Sequence, residues 1–413
     1  MKSIFKEITP LNLAFYIVFG LLVFSIPVFS YQSKLYLITW VLTVALVAII
    51  AIDIVFIKKR FFVDIVILSL ALFCVLAVIS SALNRFKGFV FTPLLLCALS
   101  IFVYQYVKQN KNLKIKHIFL VSLVALTLFM FVFMIVYRKK IFGFDFSTRL
   151  GGELGDENDI AIANALGFAL SSYFLLFDKK IVLRIISTLL IVLFGICGLT
   201  SGSKIFILLV VVAFTFLVAY KNGKKRIWLT FIMLGAFIVA IIMILTIPQF
   251  SIIKERFLSF ISTLTGISVK NSSANDLSTI YRVNMISNGF QMFLRKPLFG
   301  FGIEGFSVYG GMNEGWSHNH FSESLCNFGF LGTIAFHTPI VVSSFSLKKK
   351  EKTLRLEPIL LLVFFVFCMF SIALFSAKLF SLFSPVMYAV SDYHSLNFSL
   401  RKKSKEVLNN ENC

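Results

Sequence analysis

Apolar runs of about 17 to 25 residues recur from one end of this 413-residue chain to the other, and no other feature limits its fold so tightly. At 1.5 Å of rise per helical residue, each run reaches across roughly 30 Å of hydrocarbon. Inside lipid every backbone N–H and C=O has to be bonded within its own segment, so the runs have to be helices. Composition agrees: 58% of the residues are hydrophobic, and 40 basic plus 19 acidic side chains are too few to cover a water-soluble globule of this size. The fold class is an all-α integral membrane protein.

Twelve transmembrane helices fit, at about 11–30, 35–57, 61–83, 88–107, 116–137, 160–177, 181–199, 205–220, 227–247, 326–346, 358–376 and 379–391, the last short and interrupted by Pro385. The chain then divides into helices one to nine (1–247), a long external loop (248–325), helices ten to twelve (326–391) and a cytoplasmic tail (392–413). The net charge of +21 would suggest nucleic acid in a soluble protein. Here the basic residues sit in short clusters between apolar runs, such as Lys58-Lys59-Arg60 and Arg401-Lys402-Lys403, which is the positive-inside pattern and excludes a nucleic-acid stripe. Both termini fall in the cytoplasm on that rule; Arg138-Lys139-Lys140, which would face out, is its exception. Lys2 and Lys6 precede an apolar run that is long and lacks an A-x-A site, so an uncleaved first helix is expected. The six cysteines stand singly without a C-x-x-C, which suggests neither a disulfide framework nor a metal site.

Two external interruptions stand out. The first contains STRLGGELGDENDIA, with Arg149 ahead of Glu153, Asp156, Glu157 and Asp159. The second runs from about Pro248 to Leu325, and loops of that length are uncommon without a functional reason. Within it IKERFLSFISTL and YRVNMISNGFQMFLRKP place apolar residues at helical spacing beside charges, which predicts short helices lying in the headgroup plane. Pro297 ends the second, and Gly300, Gly302 and Gly305 form a tight turn. The spelling G-x-G-x-x-G matches the dinucleotide fingerprint but follows a helix and a proline instead of a strand, which argues against a nucleotide site.

His318-Asn319-His320 closes the long loop. Residues 318 and 320 cannot share a helical face, so a two-histidine metal site is not expected. One histidine could act alone, since an imidazole at a water–lipid boundary is suited to taking a proton from a sugar hydroxyl near neutral pH; the plain alternative is a capping or interfacial histidine. Glu323 could orient a ring N–H or bind a sugar hydroxyl, or be a carboxylate favoured at a helix start. Arg149, Lys204 and Arg282 are cations on the same external side, where each by itself could simply snorkel. Together with His318 they form a basic, hydroxyl-activating surface suited to a lipid-linked pyrophosphate and a sugar. Asp53, inside the second run, is expected to reach Lys58 or Lys59.

At these residues the sequence resembles the bacterial O-antigen and capsular polysaccharide polymerase family, which also contains the O-antigen ligases. Four pieces match in order: RLGGELGDENDIAIA, LTSGSKIFILL, YRVNMISNGFQMFLRKPLFGFGIEGF and SHNHFSESLCNFGFLG. The resemblance implies a metal-independent, inverting glycosyltransferase without a cofactor, in the bacterial inner (cytoplasmic) membrane, taking a glycan from undecaprenyl pyrophosphate on the external face. It implies His318 as the catalytic residue and Arg282 and Lys204 as the residues that hold the pyrophosphate; Arg149, Asn319 and Glu323 are expected to bind substrate beside them. Many members carry arginine where this chain has Lys204, a point charge in place of a bidentate fork. The motif spelling favours a polymerase of repeat units over a ligase acting on lipid A core or protein. A transporter of the same lipid is the rival from another class. A chain-length regulator and a flippase are the expected partners beside the lipid-linked oligosaccharide and the bilayer.

Overall fold

The computed structural model describes residues 9–29, 35–88, 90–110, 113–143, 149–151, 154, 156–223, 227–248, 254–255, 258, 276–310, 317–347, 356–389 and 396–399. Helices form over every expected run: α1 (Pro10–Val28), α2 (Tyr36–Ile52) continued by a π-helical turn (Asp53–Lys58), α3 (Ile65–Leu83), α4 (Thr92–Gln109), α5 (Ile115–Val136), α6 (Arg138–Phe142), α7 (Glu157–Phe177), α8 (Ile181–Thr200), α9 (Lys204–Asn222), α10 (Ile227–Thr246), α11 (Asp276–Arg295), α12 (Gly305–Tyr309), α13 (His320–Leu347), α14 (Leu356–Cys368) and α15 (Lys378–Ala389). Among the described residues eight of them, α1, α2 with its π-turn, α3, α5, α7, α8, α9 and α13, are long and apolar enough to cross a membrane. The chain is a multi-pass membrane protein.

Burial follows helix composition. α7 packs between α8 and α9 and is buried without a break from Ile160 to Phe174, as expected of a helix that is apolar all round. α8 turns Ile181, Val182, Ile185, Ile186, Leu189 and Val192 outward, a lipid-facing stripe. α3 packs against α13, and α15 against α4.

One end of the bundle is locked by polar contacts. Asp64 caps α3 by accepting the Val66 and Ile67 N–H groups at 3.1 and 3.2 Å, and its other oxygen accepts Lys108 Nζ at 2.7 Å and the Tyr104 hydroxyl. Asp53 reaches Lys58 at 3.3 Å, as its position in the sequence suggests. Beside them are two short strands that an all-α reading does not anticipate: β1 (Arg60–Val63) pairs antiparallel with β2 (Leu396–Ser399), Arg60 opposite Ser399. Residues 396–399 therefore lie at the same end as the Lys58–Arg60 cluster.

The tenth run departs most from expectation. Its helix begins at His320, six residues earlier than the span starting at 326, and is broken at Gly329, with φ 64° and ψ −166°. The His320 ring lies 4.9 Å from that of His337, and Ser324 Oγ is 3.0 Å from Thr333 Oγ1. On a straight helix residues 17 apart are about 25 Å apart, so α13 folds back on itself. Its limbs are 320–328 and 330–347, and only the second, about 27 Å long, is available to cross a bilayer.

The break leaves backbone groups that need partners, and residues 297–302 supply them. Phe301 and Gly302 donate to the Cys326 and Asn327 carbonyls at 2.9 and 2.8 Å, while Phe330 and Leu331 donate to those of Pro297 and Leu298 at 2.7 and 3.3 Å. α14 and α15, of 13 and 12 residues, are about 20 and 18 Å long, shorter than the spans 358–376 and 379–391 expected of them. A turn with a 3-10 segment (Leu374–Ser376) joins them.

Candidate functional site

The glycine-rich turn comes first because it sets the place of everything near it. Gly300 and Gly302 have φ of +70° and +89°. A Cβ on Gly300 would lie 2.6 Å from Asn327 backbone, and one on Gly302 would lie 2.8 Å from Ser81 Cα. The glycines thus let the loop backbone press between α3 and the first limb of α13. From α3, Ser81 Oγ accepts the Ile303 N–H at 3.0 Å, Asn84 Nδ2 donates to the Gly300 carbonyl at 3.1 Å, and Asn84 Oδ1 takes Lys296 Nζ. The fingerprint-like spelling is a packing device.

α11 forms where the amphipathic pattern predicts a helix and ends before Pro297. It lies along the first limb of α13: Ser322 Oγ donates to the Ile286 carbonyl at 3.0 Å, and Cys326 Sγ meets Met292 Sδ at 3.7 Å. The two run in the same direction, and the first contact joins residues 36 apart. Arg282 lies on this helix, four residues before Ile286, and His318 stands four residues before Ser322 in the turn that precedes the first limb. The companion segment IKERFLSFISTL lies largely outside the described residues.

His318 stands in the turn before α13 with φ +53°, a left-handed conformation costly for a residue with a Cβ. Ser317 and Glu323 hold that turn closed. Glu323 is 5% exposed, and its Oε2 accepts the Ser317 N–H at 3.0 Å and the Ser317 hydroxyl at 3.2 Å. Asn319 Oδ1 accepts the Ser322 N–H at 3.0 Å, an N-cap for the first limb. Asn319 and Glu323 therefore brace the histidine turn. Among the described residues four of the five non-glycine residues with positive φ, Arg85, Phe86, Glu304 and His318, adjoin this region, and a Cβ on Gly88 would lie 3.3 Å from Glu304. Backbone strain of this kind collects at working sites. Burial pushes the Glu304 carboxyl above its ordinary value.

A second group forms around the TSGSK turn. Lys204 opens α9, and Ser203 Oγ donates to Asn158 Oδ1 at 2.7 Å, which fixes that helix start beside α7. Arg149 donates from Nε to the Ser201 carbonyl at 3.0 Å and lies 3.5 Å from Glu157. Arg149 and Lys204 thus share one turn. The Met369–Lys378 turn borders both groups. His320 bonds to it on one side, through its N–H to the Met369 carbonyl at 2.9 Å and through Nδ1 from the Leu374 N–H at 3.1 Å. On the other side Lys378 interacts electrostatically with Asp159, next to Asn158, and sits 5.3 Å over the Trp40 ring.

Lys378, Ser317 and the His320–His337 contact escape a reading by spacing. His337 is seventeen residues beyond His320 in an apolar run, and only the break at Gly329 brings them together. Ser317 is six residues before Glu323, twice the spacing of a capping box, so no local pattern points to it. Among the described residues no three His, Cys, Asp or Glu side chains are grouped to hold a metal ion.

The fold is that of a multi-pass membrane protein in which the His318 turn leads into the limb packed on α11, and Arg149 lies against the turn that precedes Lys204. Residues 186–337 match the family model described as O-antigen ligase. That segment holds Lys204, Arg282, His318, Asn319 and Glu323, and over it the chain is similar to the O-antigen ligase and polymerase superfamily. Arg149 precedes it. No curated protein matches the chain.

Proposed function

We propose that this protein is a polysaccharide polymerase that transfers a growing glycan from undecaprenyl pyrophosphate to the next lipid-linked repeat unit. The observation that carries the reading is the braced His318 turn at the start of the limb that packs on α11, the helix holding Arg282, inside the segment that matches the O-antigen ligase family. In the reaction the acceptor hydroxyl loses its proton to His318 as its oxygen bonds to the sugar's anomeric carbon. The bond from that carbon to the pyrophosphate oxygen breaks, with inversion, and pyrophosphate leaves on the lipid. Arg282 and Lys204, with Arg149 behind them, stabilise the departing charge. Asn319 and Glu323 bind the acceptor's hydroxyls or hold the turn that does. On this reading twelve helices cross or partly cross the inner membrane, the termini are cytoplasmic, and the site opens on the external face. A chain-length regulator and a flippase would work beside it.

A ligase is the second reading, favoured by the matched family's own description. It would use the same donor and release the same carrier. Incubating the purified protein with lipid-linked repeat units separates them: a ladder of chain lengths supports the polymerase, and transfer to core lipid alone supports the ligase. Loss of product in His318→Ala, with the protein still in membranes, supports either; lipid flipping that survives this change, without any transfer, points to a transporter.

A further inference from the structure

His320 and His337 meet Nε2 to Nε2 at 3.1 Å across the α13 hairpin. Their backbone partners decide where the protons sit. The Leu374 N–H points at His320 Nδ1, so that nitrogen offers a lone pair and the ring proton is on Nε2. His337 Nδ1 faces the Thr333 carbonyl at 2.7 Å, which can only accept, so its proton is on Nδ1 and Nε2 offers the lone pair. The contact is therefore a directed hydrogen bond from His320 to His337. A metal ion between the rings would move the His320 proton to Nδ1, where an N–H already points.

His320 is fully buried, with Phe336 at 5.2 Å and Phe375 at 5.8 Å, and Phe321 stacks on His337 at 5.4 Å. Three bonds tie it down: to the Met369 carbonyl, to the Leu374 N–H and to His337. Two residues earlier stands the left-handed His318, which Ser317 and Glu323 hold from its other side. A strained residue keeps its conformation only when its surroundings impose it.

The geometry points to His320 and His337 as positioning residues, a neutral imidazole pair that fixes the backbone of His318 for glycan transfer. The inference rests on the function proposed above. It needs the acceptor at His337 Nε2 and no other property of that ring, and this makes it testable by two substitutions. His337→Gln puts Oε1 near the place of Nε2 and keeps an acceptor; His337→Phe keeps the ring on Phe321 and leaves the buried His320 N–H without a partner.

The test measures transfer of lipid-linked repeat units by purified full-length protein, normalised to folded protein. His337→Phe is expected to lower kcat about tenfold with KM little changed, and His337→Gln to stay near the unaltered protein. In parallel, the rate at which a water-soluble maleimide labels a His318→Cys chain is compared with and without each change, with the His318 chain as blank. The rate should shift with His337→Phe and not with His337→Gln. Unchanged kcat and labelling in His337→Phe would overturn the inference, as would an equal loss in His337→Gln or a loss confined to KM. If the unaltered protein transfers no glycan, the proposed function fails, and the labelling alone decides whether the pair places residue 318.

Discussion

Glu323 carries a carboxyl group into a nearly closed place and meets the N–H and hydroxyl of Ser317 there. Removing it strands the buried Ser317 N–H, a cost of roughly 1–3 kcal/mol at the histidine turn, while the Ser317 hydroxyl keeps the Asn319 carbonyl at 2.9 Å. Glu323→Ala is expected to reduce glycan transfer at least about tenfold, and Glu323→Gln, which keeps an acceptor oxygen, to reduce it less; initial rates on purified protein check this. Asp64 is the corresponding residue at the opposite end of α3. Its side chain is fully buried and serves two capped N–H groups, a lysine and a tyrosine. Asp64→Ala is expected to destabilise by roughly 3 kcal/mol, with Asp64→Asn milder because an amide oxygen still caps the helix. Thermal unfolding in detergent would show a clear fall in midpoint for the first and a smaller one for the second.

At the scale of elements, the protein depends on a broken helix and the loop that repairs it. The Gly329 break turns what composition presents as one long helix into a hairpin, and the chain from Pro297 to Gly302 satisfies the carbonyls and N–H groups set free. A Cβ at Gly329 would lie 2.5 Å from the Leu298 backbone in a conformation with φ +64°. Gly329→Ala is therefore expected to cost at least roughly 2 kcal/mol and to lower the yield of folded protein in membranes. Gly195 on α8 is the control: a Cβ there meets nothing within 4 Å, so Gly195→Ala should leave yield unchanged and raise the unfolding midpoint slightly. Fluorescence-detected size exclusion of tagged variants reads both. A loss in Gly195→Ala comparable to that in Gly329→Ala would remove the case for the hairpin.

For the whole molecule, the placement of the site on one side of the bilayer is the property to test. A membrane-impermeant thiol reagent is expected to label Tyr309→Cys in intact cells and Lys114→Cys only after permeabilisation. The reverse pattern would put the site on the cytoplasmic face. What the sequence determined by itself was the solvent, the helices and the motif residues, because apolar length and charge clusters are local properties that lipid reads directly. Every expected run is helical, Lys204 opens α9 and His318 stands just before α13, while Arg282 lies six residues past the start of α11. The tertiary structure alone decided that α13 is a hairpin, that residues 396–399 pair with 60–63, and that His320 finds His337. Those are contacts between distant residues, fixed by backbone groups seeking partners across a helix break, and no spacing within a single run encodes them.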